Sequence, residues 1–384
     1  MSDRRETDLT RRGFLQTAGG SLIAAPLIGA GVTTAAAQVP DIKLPAVGQK
    51  RARWALVGLG NLAINQVMPA FAKTEKSELK AFVSGRREKA ETLAKKYGVD
   101  PKHIYSYDNF DTIANDPEID IVYIILPNSM HAEYTIRALK AGKHVLCEKP
   151  MANNAKDCEA MIAAAKAANK KLAIGYRLRH EPFNQTMIKM AREREFGATR
   201  HISCEAGFSI GDPKQWWLRK PMAGGGSMMD IGIYALNAAR YLSGEEPVEV
   251  QAMSYTTPND PRFVEVEEST VFQMRFPSGL MANCTSHYGA GMNRFRVFAE
   301  KGSFELQPAL SYSGLRMQVY RGGVSEERSL PVRDHFASEM DHFSDCVLMG
   351  TDPLTPGEEG LRDMRIITSI YESAAGGGKT VKLT

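Results

Sequence analysis

The stretch VGLGNLA, Val57 to Ala63, decides the fold of this chain. It follows the apolar run WALVG and spaces Gly58, Gly60 and Ala63 as G-x-G-x-x-A. Where a strand turns into a helix, two such glycines allow the tight turn and let the backbone approach a pyrophosphate at the helix N-terminus. Glycine-rich turns are common, so the pattern is informative only because a strand precedes it and a helix is expected to follow. We therefore predict a dinucleotide-binding loop, with contacts from Gly58, Leu59, Gly60, Asn61 and Leu62.

Around this loop, short apolar runs alternate with helical segments. The runs that read as buried strands are WALVG, LKAFVS, DIVYIIL, KHVLCE and KLAIGY. Helices are expected over Arg86 to Tyr97, His131 to Ala141 and Ala155 to Ala168, the last capped by Asn153. Alternation of this kind predicts a doubly wound parallel sheet, and we assign a dinucleotide-binding Rossmann domain to residues 51–175.

Past Tyr176 the pattern changes to longer β-type runs with partial two-residue alternation, such as HISCEAGFS, VEVQAMSYT and ESTVFQMRF. These runs predict a large open sheet, mostly antiparallel, with one face on the first domain and the other free. Helices are expected over Pro182 to Glu195, Met228 to Leu242, Phe336 to Met349 and Gly357 to Ala375. We therefore expect an α/β chain whose residues 176–384 form a domain for substrate binding and oligomerisation.

The N-terminal residues are typical of a twin-arginine signal peptide, which we assign to residues 1–37. TRRGFLQ, Thr10 to Gln16, precedes a mild apolar stretch, and Ala35 and Ala37 fit a cleavage site before Gln38. A membrane anchor is the alternative, but the apolar stretch is shorter than the roughly 20 residues that a spanning helix needs. The export machinery for such peptides carries folded proteins, so we expect a periplasmic enzyme that takes its cofactor with it. Residues 38–50 then form an arm, either extended on a partner subunit or a flexible linker.

Composition excludes several classes of function. The net charge of +4 on 384 residues argues for neither a nucleic-acid partner nor a membrane surface. The cysteines Cys147, Cys158, Cys204, Cys284 and Cys346 are scattered without a C-x-x-C spacing. We therefore expect no disulfide framework and no metal site.

The end of the second predicted strand indicates which dinucleotide binds. An acidic residue at that position would bind the ribose 2′-hydroxyl of NAD. This chain has Ser84 there, followed by Arg86, Arg87 and Lys89. A hydroxyl with clustered cations favours the 2′-phosphate of NADP(H). The alternative is a solvated charge run at the start of a helix.

Two further motifs supply candidate catalytic residues. CEKPMA places Lys149 at the end of a strand, where the cofactor crevice lies, although such a lysine is often a surface charge. GGGSMMDIGIYALN places Asp230 and Tyr234 four residues apart at a glycine-marked helix start, so both side chains can face one site. A tyrosine there is more often part of a core or an interface.

Together, the glycine fingerprint, the EKP motif and the glycine-led D-x-G-x-Y motif resemble the glucose–fructose oxidoreductase, inositol dehydrogenase and rhizopine-catabolism (Gfo/Idh/MocA) family. Tyr234, where many relatives carry histidine, makes the chain most similar to the glucose–fructose and aldose–aldose oxidoreductases. The likeness runs from about Arg53 to the C-terminus and is densest in EKPMA, AAKAANKKLAIGYR and AGGGSMMDIGIYALN. It implies a cis Lys149–Pro150 bond.

The resemblance also implies residue roles. Lys149, Asp230 and Tyr234 are expected to be catalytic and, with Arg177, to contact substrate. The other expected cofactor contacts are Ser84, Arg86, Lys89, Tyr107, Leu126, Pro127, Asn128, His131, Glu148, Arg177, Trp216 and Arg219.

The implied activity is a ping-pong cycle on non-covalently but tightly bound NADP(H). An aldose is oxidised at C1 to an aldonolactone, with Tyr234 as general base, and a second aldose or ketose leaves as an alditol. Free tyrosine ionises with a pKa of about 10, so the Lys149 ammonium and the oxidised nicotinamide are expected to favour the phenolate. Asp230 would orient the hydroxyl and hold Lys149.

Substrates are expected to be monosaccharides, with oligosaccharides as the alternative. The assembly is expected to be a homodimer through the open sheet, with a tetramer as the alternative, because the arm and C-terminus are shorter than in glucose–fructose oxidoreductase.

Three alternatives remain open at this point. One is an ordinary dehydrogenase with exchangeable cofactor, which would lose NADP(H) during gel filtration. Another is a redox-neutral NAD-dependent glycosidase, against which Tyr234, Ser84 and Lys89 count. The last is a non-catalytic cofactor-binding sensor, in which replacing Tyr234 would leave function intact.

Overall fold

The computed structural model describes residues 50–383. The predicted signal peptide, the arm before Lys50 and the C-terminal Thr384 lie outside the described residues. Within residues 50–383, no helix combines the length and the apolar character that a bilayer span requires. All five cysteines are buried and carry free thiols.

The predicted doubly wound sheet is confirmed. Its six strands are β1 (Ala52–Val57), β2 (Ser77–Val83), β3 (Ile104–Tyr105), β4 (Ile121–Ile124), β5 (His144–Glu148) and β6 (Leu172–Gly175). They are all parallel, in the order β3-β2-β1-β4-β5-β6. The sequence pattern missed β3 because two residues are too few to show a period. The strand order reverses between β1 and β4, which is where open α/β sheets bind ligands.

The helices of this first half match the predicted segments closely. They are α1 (Met68–Ala70), which continues a π-helical turn over Ala63–Val67, then α2 (Arg87–Tyr97), α3 (His131–Lys140) and α4 (Ala155–Ala168). The predicted cap of α4 was wrong by one residue. Asn154, not Asn153, accepts a hydrogen bond from the Asp157 backbone N–H, at 2.9 Å. The Asn154 backbone is extended, as a helix N-cap requires, whereas Asn153 reaches the carbonyl oxygen of Pro221 at 3.5 Å.

The second sheet has nine strands and is mostly antiparallel, as predicted. Its strands are β7 (Thr199–Gly207), β8 (Glu249–Tyr255), β9 (Ser269–Arg275), β10 (Met281–His287), β11 (Met292–Ala299), β12 (Gly302–Leu306), β13 (Met317–Arg321), β14 (Val324–Arg328) and β15 (Val381–Lys382). Their order is β14-β13-β12-β11-β7-β10-β9-β8-β15, with only the β7–β10 pair parallel. Residues alternate between buried and exposed along β9, so the sheet has one packed and one exposed face. The exposed face carries Met253, Tyr255 and Val271.

The helices of the second half are α5 (Pro182–Arg192), α6 (Lys220–Ala223), α7 (Ile233–Ser243), α8 (His335–Met349) and α9 (Gly357–Ala375). Although α8 lies late in the chain, it packs against the parallel sheet. Trp54 on β1 donates a hydrogen bond to Ser344 at 3.0 Å, and Ser77 on β2 donates to Asp341 at 2.9 Å. The return of the chain also brings His335 of α8 into contact with Arg177, which follows β6. The domain boundary that the sequence predicts between residues 175 and 176 stays a prediction.

A buried ionic network ties α7 to α9. Asp363 is fully buried and accepts hydrogen bonds from Arg240 at 2.7 Å, from Asn237 at 2.6 Å and from the hydroxyl of Tyr176. Arg240 is also buried, and it pairs with Glu246 and Glu359. Every polar atom of Asp363 therefore has a partner, which a buried charge requires.

Removing one member of this network should destabilise the fold strongly. We expect Asp363→Ala to lower the free energy of unfolding by about 3–5 kcal/mol, because Arg240 would remain buried without its main counter-charge. Urea unfolding followed by circular dichroism measures the change. The control is Glu249→Ala, which breaks the exposed ion pair with Arg275 and should leave the unfolding midpoint nearly unchanged. Equal effects of the two substitutions would contradict the assignment.

Candidate active site

The glycine loop follows β1 at the point where the strand order reverses. Gly58 has φ of 91°, and a Cβ there would lie 2.2 Å from the carbonyl oxygen of Ile125 after β4. Only glycine therefore fits at position 58. Gly60 differs, since a Cβ there would meet nothing within 4 Å. The space over Gly60 leaves the loop backbone open to a ligand.

The residues predicted to hold a 2′-phosphate lie together after β2. The Arg86 backbone N–H donates to the Ser84 hydroxyl at 3.1 Å, and the Lys89 ammonium donates to the carbonyl oxygen of Leu59 in the glycine loop. Burial and the neighbouring Arg86 charge lower the pKa of Lys89. The ring of Tyr107 packs over Gly85. A hydroxyl and two cations thus border the glycine loop. This set of groups suits the 2′-phosphate of NADP(H) better than the free ribose 2′-hydroxyl of NAD.

The end of β4 supplies a buried histidine that faces two backbone carbonyls. His131 lies 2.8 Å from the oxygen of Leu126 through Nε2, and 2.8 Å from the oxygen of Pro150 through Nδ1. Burial lowers the pKa of His131, although both carbonyls favour its proton. Asn128, after Pro127, donates to the Ala223 oxygen at 2.9 Å. These contacts attach the end of β4 to the EKP segment and to α6.

Lys149, Asp230 and Tyr234 come together at the end of β5. The Lys149 Nζ lies 2.9 Å from Asp230 Oδ1, 2.6 Å from the Asp230 carbonyl oxygen and 4.9 Å from the centre of the Tyr234 ring. The Lys149–Pro150 bond is cis, as the resemblance implied. Burial alone would lower the pKa of Lys149, but the charge of Asp230 and its hydrogen bond outweigh this effect, and the net shift is upward. Lys149 therefore stays an ammonium ion across the physiological pH range.

The helix that carries Asp230 and Tyr234 begins with a tight glycine run. A Cβ on Gly226 would lie 2.1 Å from the carbonyl oxygen of Glu267. The Glu267 carboxylate accepts from the backbone N–H groups of Gly226 at 2.9 Å and Met228 at 3.0 Å. A π-helical turn over Met228–Gly232 then leads into α7. Asp230 lies in the π turn and Tyr234 one turn later, so both face Lys149, as the spacing predicted.

A second cation lies on the ring of Tyr234. The Arg177 guanidinium carbon is 5.1 Å from the centre of that ring and 4.6 Å from the centre of the Tyr312 ring. Arg177 also donates to the Leu310 oxygen at 2.5 Å and contacts His335 Nδ1 at 3.0 Å. The Tyr234 ring therefore packs against two positive charges, which stabilise a nearby negative charge.

Sequence reasoning missed several members of this site. Tyr288, fully buried after β10, donates its hydroxyl to Asp230 Oδ2 at 3.0 Å. Tyr312 and His335 hold Arg177, as described above. No motif singles out these three residues, and only the long-range chain path brings them here.

Two predicted contacts lie on a separate segment. Trp216 packs edge-on against Trp217, with ring centres 5.9 Å apart. Arg219 pairs with Glu265 at 3.0 Å. Their predicted contact with the dinucleotide stays a prediction.

A further polar cluster is formed by His103, directly before β3, and two carboxylates that follow this strand. His103 contacts Asp116 at 2.6 Å through Nδ1 and Glu118 at 3.0 Å through Nε2. The carboxylates lie on opposite nitrogens of one ring, so the imidazole bridges them and the three side chains act as a hydrogen-bonded unit.

Two protein-family models and a sequence relative match this chain. Residues 52–176 match the model of an oxidoreductase family with an NAD-binding Rossmann fold (GFO_IDH_MocA), and residues 184–305 match the GFO/IDH/MocA C-terminal domain. The chain is 31% identical over 329 residues to a D-xylose 1-dehydrogenase [NADP(+)] of Haloarcula marismortui, covering 84% of this chain and 91% of that protein.

Solved structures are similar over the same span. The aldose–aldose oxidoreductase of Caulobacter crescentus, solved with glycerol, is 50% identical, with a TM-score of 0.85 over 87% of this chain and 100% of that one. An inositol dehydrogenase homologue of Azotobacter vinelandii, solved with NAD+, is 19% identical, with a TM-score of 0.75 over 87% of this chain and 98% of that one. The latter likeness concerns the fold alone.

The two loop glycines should respond differently to substitution. We expect Gly60→Ala to leave thermal unfolding of the nucleotide-free protein unchanged but to weaken NADP+ binding at least about tenfold, because the new methyl group fills the space over the loop. Gly58→Ala should destabilise the fold itself, since the Ile125 backbone blocks the methyl group and φ is positive. Fluorescence titration and calorimetry measure both properties. Unchanged NADP+ affinity in Gly60→Ala would rule out this loop as the binding site.

Proposed function

The chain belongs to the GFO/IDH/MocA family of oxidoreductases, and from this premise we propose that it is a periplasmic sugar oxidoreductase that keeps NADP(H) bound through both halves of its cycle. The observation that carries the proposal is the contact of Lys149 with both Asp230 and Tyr234. The residues present fit the cofactor, because open space lies over Gly60 and a hydroxyl with two cations borders the loop. When bound, NADP(H) supplies the hydride acceptor and donor.

The protein side chains handle the proton in this proposal. Tyr234 accepts the proton of the sugar C1 hydroxyl during oxidation and returns it to the carbonyl oxygen of the second sugar during reduction. Lys149 and Arg177, which contact the ring, stabilise the negative charge that Tyr234 carries before it accepts this proton and again after it has returned it. Asp230 holds Lys149 and orients the hydroxyl, and Tyr288 holds Asp230 in turn. Burial of these groups strengthens their electrostatic interactions.

The substrate class is argued from the relatives. The Caulobacter crescentus relative is an aldose–aldose oxidoreductase, which supports two sugars as the two substrates of a ping-pong cycle. The Haloarcula marismortui relative is an NADP(+)-dependent D-xylose 1-dehydrogenase, and it supports a second candidate, a dehydrogenase of the same specificity with exchangeable cofactor. The twin-arginine leader favours the first candidate, because an exported enzyme has no external pool of dinucleotide. Homodimerisation through the exposed sheet face is part of this proposal.

Replacing the proposed base tests the assignment of Tyr234. We expect Tyr234→Phe to reduce turnover by roughly 10²–10⁴-fold while NADP+ affinity changes little, because the ring remains and only the proton-accepting oxygen is lost. Steady-state kinetics and nucleotide titration measure the two quantities. The matched control is Tyr241→Phe on the same helix, whose hydroxyl contacts Glu359 instead. Full activity of Tyr234→Phe would contradict the assignment of Tyr234 as the base.

Cofactor retention separates the two candidate activities. We expect purified protein to turn over an aldose with a second aldose or ketose without added NADP(H), and to retain the nucleotide through gel filtration. Native mass spectrometry gives cofactor occupancy and subunit count from the same preparation. Protein that binds NADP(H) but depends on a continuous supply of it would be an ordinary dehydrogenase.

A further inference from the structure

A short segment, residues 216–224, lies against the edge of the parallel sheet at which the strands end. It includes α6. The Asn128 amide, after β4, donates to the carbonyl oxygen of Ala223 in this segment at 2.9 Å. A Cβ on Gly224 would lie 2.7 Å from the side-chain oxygen of Asn153, which follows β5. The segment, which we call the strap, therefore borders the crevice in which open α/β sheets bind their ligands.

The other side of the strap is attached to the chain just before β9. Leu218 belongs to a buried apolar cluster that includes Val266. The neighbouring Glu265 carboxylate accepts from the Arg219 guanidinium at 3.0 Å through Oε1 and from the Lys220 backbone N–H at 3.0 Å through Oε2. Lys220 is the first residue of α6, so its N–H has no acceptor within that helix. Both oxygens of one carboxylate thus hold the strap.

These two bonds give Glu265 more influence than an ordinary surface ion pair has. An exposed pair of charges contributes little by itself, because water screens it. Here the same carboxylate also fixes the backbone at the start of α6, so it sets the position of Arg219 as well as its charge balance. A guanidinium has five N–H donors in one plane, so Arg219 keeps donors for a phosphate oxygen while Glu265 orients it.

We infer that Glu265 is a positioning residue that keeps the strap closed on the bound nucleotide and thereby slows its release. The inference rests on the proposed function, in which NADP(H) stays bound through both halves of the cycle. Glu267, on the same stretch of chain, holds the backbone N–H groups of Gly226 and Met228 beyond the strap. Loss of Glu265 therefore loosens the strap, while the helix start that carries Asp230 stays attached through Glu267.

The strap and the predicted 2′-phosphate site lie at different places along the sheet edge. Ser84 follows β2, whereas the strap contacts residues that follow β4 and β5, and β1 lies between β2 and β4. Adenosine 2′,5′-bisphosphate carries the adenosine and the 2′-phosphate but no nicotinamide half. It can therefore fill the site at Ser84 without reaching under the strap, and its release serves as an internal control.

Rates of nucleotide release from the whole protein test this inference. The protein, loaded with NADP+ or by prolonged dialysis with adenosine 2′,5′-bisphosphate, is mixed rapidly with excess NADPH, whose fluorescence follows the exchange. We expect Glu265→Ala to speed the release of NADP+ about tenfold, because a charge-assisted hydrogen bond and a helix-start hydrogen bond are lost. Release of the bisphosphate should stay nearly unchanged. The matched control is Glu327→Ala, which breaks the exposed ion pair with Arg316 and should alter neither rate.

The outcomes separate this inference from the proposed function. Unchanged release of NADP+ from Glu265→Ala, or equal acceleration of both ligands, would overturn the inference and leave the function standing. Wild-type protein that releases NADP+ in every turnover would reject cofactor retention, and the ratio of variant to wild-type rates would still decide the role of Glu265. If Glu265→Ala does not fold, Glu265→Gln, which keeps the shape but loses the charge, must release NADP+ faster than the wild type, and an equal rate would refute the inference.

Discussion

The ion pair between Lys149 and Asp230 is the interaction on which the rest of the structure depends. Lys149 comes from the end of a parallel strand, and Asp230 comes from a helix that packs on the second sheet. The pair therefore joins the two sheets at the proposed site. Both groups are largely withdrawn from water, where an unpaired charge would cost several kcal/mol. Each sheet must therefore position its own member of the ion pair accurately, and many of the surrounding contacts fix these positions.

Supporting contacts surround this pair on both sides. On the side of the second sheet, Glu267 holds the start of the helix, Tyr288 holds the free oxygen of Asp230, and the network around Asp363 attaches α7 to α9. On the side of the parallel sheet, His131 holds the carbonyl oxygen of Pro150. The ammonium ion thus has a fixed position against the Tyr234 ring, which is what a proton-transfer site requires.

Because α8 packs against the parallel sheet, both halves of the chain contribute residues to the proposed site. The glycine loop and the EKP motif belong to the first half, but His335 on α8 contacts Arg177 at the same site although it lies 158 residues later in the sequence. Family membership accounts for the shared fold and for the residues of the motifs. The contact of His335 with Arg177 comes instead from the packing of this late helix.

The sequence by itself determined most of the fold, because the signals involved are local. Apolar runs of strand length, the glycine spacing from Val57 and the four-residue spacing of Asp230 and Tyr234 all report on neighbouring residues, and each has its counterpart in the structure. A strand of two residues, such as β3, has no period to read, and nothing in the sequence distinguishes the two adjacent asparagines before α4. Tertiary structure alone decided that Tyr288 binds Asp230, that Arg177 lies on Tyr234 and that His335 contacts Arg177. Those contacts join residues far apart in the chain, and no local pattern can encode them, since a tyrosine or glutamate in a strand or helix has the same sequence signature whether it faces a core or a reacting centre.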